Sequence, residues 1–254
     1  MTAFEPLLAT HWRQPLGHWP RRGACPEALR LGLGASCATW PSGNWRDDEG
    51  HTLWHYWACC PDPAGTWEAV RQHADAECRD QLSQDGAHPW HWLALHGSAE
   101  AMAQWHAAWG TPRLSSWRGD SVLHCAAWSA NLATLRLALP GSDEGLNVLD
   151  AQGVTPLIIS LYRGQMGHAM TLIDAGADPD MRDPHGRSAL HHAALLGDVD
   201  LLGKLEDAGG DIRLADREGD TPESVMDDRL DMSSAQVAAL RQHWARRYQS
   251  KLRL

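Results

Sequence analysis

Histidine and cysteine are the residue types in this chain with the most chemistry to offer. Fifteen histidines are present, and His191 and His192 stand side by side with His185 nearby. Adjacent residues on a helix point about 100° apart, however, and no second group of ligands stands at zinc spacing. Cys59 and Cys60 form a vicinal pair of the kind that redox or metal elements use. Yet the six cysteines (Cys25, Cys37, Cys59, Cys60, Cys78, Cys125) show no CxxC spacing and all fall in the first half of the chain. They read as free thiols, with Cys59 and Cys60 as small apolar residues at a helix end. No G-x-S-x-G, P-loop, HExxH or kinase signature occurs. Carboxylates are abundant, but Asp178, Asp180 and Asp183 recur one period later as Asp211 and Asp216, which is the periodicity of turns rather than of a paired acid and base. The expectation is a non-enzyme with no cofactor and no metal.

The elements that carry these residues repeat. Gly119-Asp-Ser-Val-Leu-His-Cys-Ala-Ala, Gly153-Val-Thr-Pro-Leu-Ile-Ile-Ser-Leu and Gly186-Arg-Ser-Ala-Leu-His-His-Ala-Ala are variants of one phrase, and Gly219-Asp-Thr-Pro begins it again. The steps between these glycines are 34, 33 and 33 residues; Gly86 lies 33 earlier and Gly50 another 36. A period of this length marks a stack of supersecondary units, none of which buries its apolar face alone.

The pattern resembles the ankyrin repeat family, whose unit reads roughly G-x-T-P-L-H-x-A-A, a second apolar helix, then L-x-x-G-A-D. The resemblance covers about residues 45–228 in six repeats starting near Gly50, Gly86, Gly119, Gly153, Gly186 and Gly219. It implies an all-α solenoid of helix-turn-helix units with hairpin-like loops. Thr52, Ser121, Thr155, Ser188 and Thr221 are placed to cap the first helices, with Pro156 and Pro222 in the first turn. Gly97, Gly164 and Gly197 stand where that helix must reverse, and Gly176 and Gly209 close the second. His55, His91, His124 and His191 occupy the fourth position of the T-P-L-H phrase, where the resemblance implies a structural imidazole bonded between backbone turns. Thirteen of fourteen tryptophans precede residue 130, so the early repeats fill a less regular core with indoles, Trp54, Trp57 and Trp90 among them. Residues 1–44 align with no repeat and read as a Trp-rich N-terminal cap or arm. In residues 229–254, Val237, Leu240, Trp244 and Tyr248 have helical spacing, which reads as a capping helix.

In such an array the variable positions are those not used in stacking. The resemblance places them at hairpin tips and at first-helix ends. The tips are Trp117, Arg118, Asp120, Gln152, Val154, His185 and Arg187; the helix ends are Trp128, Ser129, Tyr162, Arg163, Leu195 and Leu196. Aromatic and Arg side chains anchor interfaces, so Trp117, Trp128, Tyr162 and Arg163 are the expected hot spots.

Charge narrows the partner. The chain carries a formal net charge of -10, which argues against nucleic acid. Residues 143–228 hold 18 acidic and 6 basic side chains, whereas 229–254 hold six basic and one acidic. An acidic array attracts a basic protein surface. No signal peptide opens the sequence and no apolar stretch of 18 residues occurs, so a cytoplasmic protein without membrane contact is expected, monomeric when free. Two lysines against 20 arginines, three Asn and one Phe point to GC-rich coding and a bacterial source. The reading is a non-catalytic protein-protein interaction module, in its sharpest form an immunity or antitoxin-like protein that neutralises a basic toxin. The alternatives are an adaptor or host-directed effector joining two proteins, and an enzyme with an unrecognised active site near the N-terminus.

Overall fold

The computed structural model describes residues 44, 46, 48, 50–58, 62–73, 76–96, 98–110, 119–139, 145–227, 238, 242 and 245. Trp117, Arg118, Cys59, Cys60 and Gly97 lie outside them, as do nearly all residues of the expected terminal caps. The fold is all-α: among the described residues the only β element is an isolated bridge between Arg46 and Thr52. The helices come in pairs: α1 (Leu53–Ala58) with α2 (Pro63–His73), α3 (Pro89–His96) with α4 (Ala99–Trp109), and α5 (Val122–Trp128) with α6 (Leu132–Ala138). Next come α7 (Pro156–Tyr162) with α8 (Met166–Asp174), α9 (Ala189–Leu196) with α10 (Val199–Asp207), and α11 (Pro222–Asp227). The chain divides into two compact units. The first holds α1–α6 and Asp150–Gln152; the second holds Leu139–Leu149 and α7–α11.

Within each unit, like packs on like. In the first, α1 packs on α3 and α3 on α5, while α2 packs on α4 and α4 on α6. In the second, α7 packs on α9 and α9 on α11, with α8 beside α10. Small side chains permit this: Ala126, Ala127, Ala193 and Ala194 are all fully buried, and Leu123, Leu157 and Leu190 are buried with them. Thr155 caps α7 by accepting the Ile158 N–H, and Ser121 caps α5 by accepting that of His124. The connecting hairpins turn at glycine. Gly119 has φ +90°, and a Cβ there would meet Ala151 at 2.7 Å; Gly186 has φ +80°, with the Arg217 nitrogen 3.0 Å from its would-be Cβ. Both positions combine a left-handed backbone with a neighbouring hairpin too close for a side chain.

The first unit is built around indoles. Trp54, Trp57, Trp90 and Trp105 are all but fully buried. Trp54 meets Trp57, Trp105 and Trp109 edge to face at 5.6, 5.3 and 5.1 Å, and Trp67 lies 4.9 Å from Trp109. Arg79 sits over the Trp109 ring at 5.0 Å. Edge-to-face geometry aims each ring's positive rim at its neighbour's negative face, so large side chains fill the gap between α2 and α4 with directional contacts. Trp105→Ala is expected to destabilise the first unit by about 3–5 kcal/mol, and Trp67→Ala, half-buried, by less. Urea unfolding followed by tryptophan emission checks both values and their order.

Candidate functional site

Of the expected binding residues, all but Trp117 and Arg118, which lie outside the described residues, have a definite place. In the second unit, Tyr162 and Arg163 end α7 and Leu195 and Leu196 end α9, at equivalent positions on two helices packed together. Arg163 and Leu196 are exposed, and Tyr162 and Leu195 are half-buried. These four side chains stand at matching positions of two neighbouring helix pairs. His185 and Arg187 flank the Gly186 turn and are half-buried, and Arg187 Nε donates to Asp216 Oδ2 at 3.1 Å. In the first unit, Trp128 at the end of α5 and Gln152 are half-buried.

Three positions differ from the expectation. Val154, at 2% exposure, is a core residue: it immediately precedes the cap of α7, where the chain turns inward. Asp120 and Ser129 are each 5% exposed, at the start and end of α5. Asp120 precedes the α5 cap and bears electrostatically on buried Cys125. The Ser129 backbone closes α5 by donating to the Cys125 carbonyl, and its hydroxyl accepts the Asn131 N–H at 3.3 Å. All three belong to the interior rather than to a binding surface.

The structure also exposes residues that the sequence reading passed over. Val148 and Leu149 are 37% and 45% exposed in the second unit, and Leu82 is 40% exposed in the first. They stand four or five residues before a turn glycine. Val148, Met181 and Leu214 follow one another at steps of 33, so the register that located the glycines also locates this apolar row.

The histidines are held by the backbone. His55 Nδ1 accepts the Thr52 N–H at 3.0 Å, and its Nε2 donates to the Ala87 carbonyl at 2.9 Å, 32 residues on. His191 repeats this on the Ser188 N–H at 3.0 Å and the Asp220 carbonyl at 3.0 Å. His124 Nδ1 accepts from Ser121 at 3.0 Å and His91 Nδ1 from His88 at 3.2 Å. Accepting at Nδ1 fixes the neutral tautomer with hydrogen on Nε2, so each ring staples a helix start and, in the His55 and His191 cases, the next hairpin.

Aspartates fix the hairpins. Asp183 Oδ1 accepts the N–H groups of His185 and Arg187 at 2.8 and 2.9 Å, while Oδ2 meets His192 Nε2 at 3.1 Å. Thus His191 and His192 bond to different partners, Asp220 and Asp183, and form no common ligand pair. Burial pushes the Asp183 carboxyl up, but the bonds from His192, Arg187 and His185 outweigh it, and the group lies below the usual carboxylate range. Asp216 takes the N–H groups of Glu218 and Asp220 at 2.8 and 3.0 Å in the same way. The oxygens of Asp216, Glu218 and Asp220 come within 4.8 Å of one another, but those of Asp216 already serve the turn and Arg187.

Asp183→Ala leaves two backbone donors and a buried imidazole without their acceptor, and is expected to destabilise the second unit by about 2–3 kcal/mol. Because the native carboxyl is held below its unfolded value, this contribution is present above about pH 4 and is lost as the pH falls through the native value. Urea melts of wild type and variant at pH 7 and pH 3, read by hydrogen exchange across residues 156–207, check the size and the sign.

Comparison with known proteins agrees with this geometry. A family model described as ankyrin repeats, in three copies, matches residues 123–216. The chain is 35% identical over 117 residues to the inactive serine/threonine-protein kinase TEX14 of Bos taurus, covering 44% of this chain and 8% of that protein. It is 32% identical over 111 residues to NF-kappa-B inhibitor delta of Mus musculus (41% of this chain, 33% of that protein). It is 25% identical over 147 residues to neurogenic locus notch homolog protein 1 of Danio rerio (58% of this chain, 6% of that protein). The chain therefore spans a third or less of the length of each of these relatives. Helix pairs at a 33-residue period, hairpins turning at left-handed glycines and imidazole-stapled helix starts accord with the matched model, and residues 123–216 of this chain are ankyrin repeats.

Proposed function

We propose that this chain recognises another protein through the first-helix ends and hairpins of an array running from about residue 45 to 228, and that the partner is a basic protein whose activity it blocks. The observation that carries the reading is the set of Tyr162, Arg163, Leu195 and Leu196, with aromatic, cationic and apolar groups at matching positions of packed helices. Such side chains anchor interfaces when a partner desolvates them. They lie within a segment of 18 acidic and 6 basic residues, a charge that speeds encounter with a cationic surface. Interaction with proteins is what ankyrin repeats provide, and one relative is by name an inhibitor of NF-kappa-B. The composition of few lysines and many arginines supports a bacterial source, and with it an immunity or antitoxin-like role in the cytoplasm.

The test is affinity capture from the source cells with wild type beside a Tyr162→Ala, Arg163→Ala, Leu196→Ala variant, with circular dichroism to establish equal folding. One basic protein is expected with wild type, bound at least about 100-fold more weakly by the variant, in line with two or more lost anchors. Its affinity should fall as salt rises, and its activity should cease on mixing. Equal binding by both chains places the site elsewhere. An acidic partner, or an active one in the complex, overturns the inhibitor reading, and two different proteins captured together turn it into an adaptor.

A further inference from the structure

The interior of the first unit holds a cluster of imidazoles whose arrangement stapling alone does not require. His51, His55, His88, His91 and His124 are all between 0 and 3% exposed. The His51 ring lies 5.5 Å from that of His55 and 5.1 Å from Trp92, and the His88 ring lies 5.7 Å from Trp105. In four of the five, Nδ1 already accepts a backbone N–H, from Thr52 to His55, Trp90 to His88, His88 to His91 and Ser121 to His124. A nitrogen that accepts an N–H holds no proton of its own, so all four rings are neutral. A second proton would break the bond that starts a helix and leave a cation among indoles.

Charged groups also stand around these imidazoles. His55 and His91 bear on His88 as like charges once protonated. Asp80 approaches His88 only to 3.8 Å, is half exposed, and is engaged by Arg79. Asp120 is buried at the start of α5, and Asp85 takes the Ser83 hydroxyl. The ionisable side chains of α4 and α6 (Glu100, His106, Arg136) are exposed.

The second unit differs. Ile158 and Ser224 stand where the neighbours of His191 would carry an imidazole, so among the described residues His191 alone is locked in this way there. His192 faces a carboxylate, Asp183, at 3.1 Å. His168 is buried in α8 outside the helix-start position.

We propose that the first unit is an acid-sensitive module, in which proton uptake by His55, His88, His91 and His124 releases the helix starts and opens the unit while the second stays folded. Burial, followed by the nearby His91 and His55, pushes the His88 imidazole down to about 3 against the pull of Asp80. The unfolded chain takes up the same proton near the ordinary value of about 6.5. Stability from such a group is therefore whole above about pH 6.5 and is lost as the pH falls towards the native value, by about tenfold in the folding equilibrium per pH unit for each imidazole. Repeat units contact only their neighbours, so one part of an array can open alone.

The experiment is hydrogen exchange by mass spectrometry on the full chain between pH 7.5 and 4.5, with protection corrected for the intrinsic pH dependence of exchange. Segments within 53–109 should lose at least about 1000-fold of their protection between pH 7 and 5, and those within 156–207, with the single locked His191, no more than about 30-fold. Tryptophan emission should follow the first group. His88→Asn keeps an acceptor for the Trp90 N–H but cannot charge, and should lessen the loss by about tenfold per pH unit. Equal loss in both segments, loss only below pH 4 where carboxylates titrate, or a variant with the wild-type pH slope overturns the proposal. Should His88→Asn fail to fold at pH 7.5, the two wild-type segments decide it.

Discussion

Everything in this fold depends on helices too short to exist alone. The first helices run from six to eight residues and the second from seven to eleven, below the ~12–15 residues at which an isolated helix is even marginal in water. Their stability comes from neighbours. Alanine pairs such as Ala126–Ala127 and Ala193–Ala194 let backbones close on one another, and each first-helix start is secured by a hydroxyl cap, an imidazole or both. Remove the stacking, and no single pair retains a core.

The same constraint separates what packs from what remains for recognition. The inward residues of α7 and α9 are buried along nearly their whole length, and only the final side chains emerge. The hairpins are likewise mostly committed. Asp183 and Asp216 spend their oxygens on their own turns, and Arg187 spends its guanidinium on Asp216. What the packing leaves exposed are the helix ends and apolar side chains such as Val148 and Leu149 at a hairpin base.

The fold was legible in the sequence because its demands repeat: glycine where φ is positive, a hydroxyl before the first helix, an imidazole three residues later. Gly186, Ser188 and His191 announce their roles by type and interval. The surface was less legible. Asp120 and Val154 stand at hairpin positions where the resemblance implies exposed residues, and the path of this backbone turns them inward. Val148 and Leu149 look like core residues by type, yet they stand exposed in the connection before α7. The indole packing of the first unit lies between these cases. The abundance of tryptophan was plain, whereas the edge-to-face order of Trp54, Trp57, Trp105 and Trp109 follows from helix geometry alone.

The bonds joining one hairpin to the next in the second unit have a consequence for how such a chain changes over generations. Asp178 donates its N–H to Asn147, Asp211 donates its own to Asp180, and Arg217 donates to the His185 carbonyl. In each the donor is main chain, and the acceptor is main chain or a short Asx side chain that many sequences supply. A joint of this kind looks the same from either side. A gene segment encoding one period can thus be duplicated or deleted in frame and leave compatible seams behind, so the number of modules can drift while each surviving module keeps its fit.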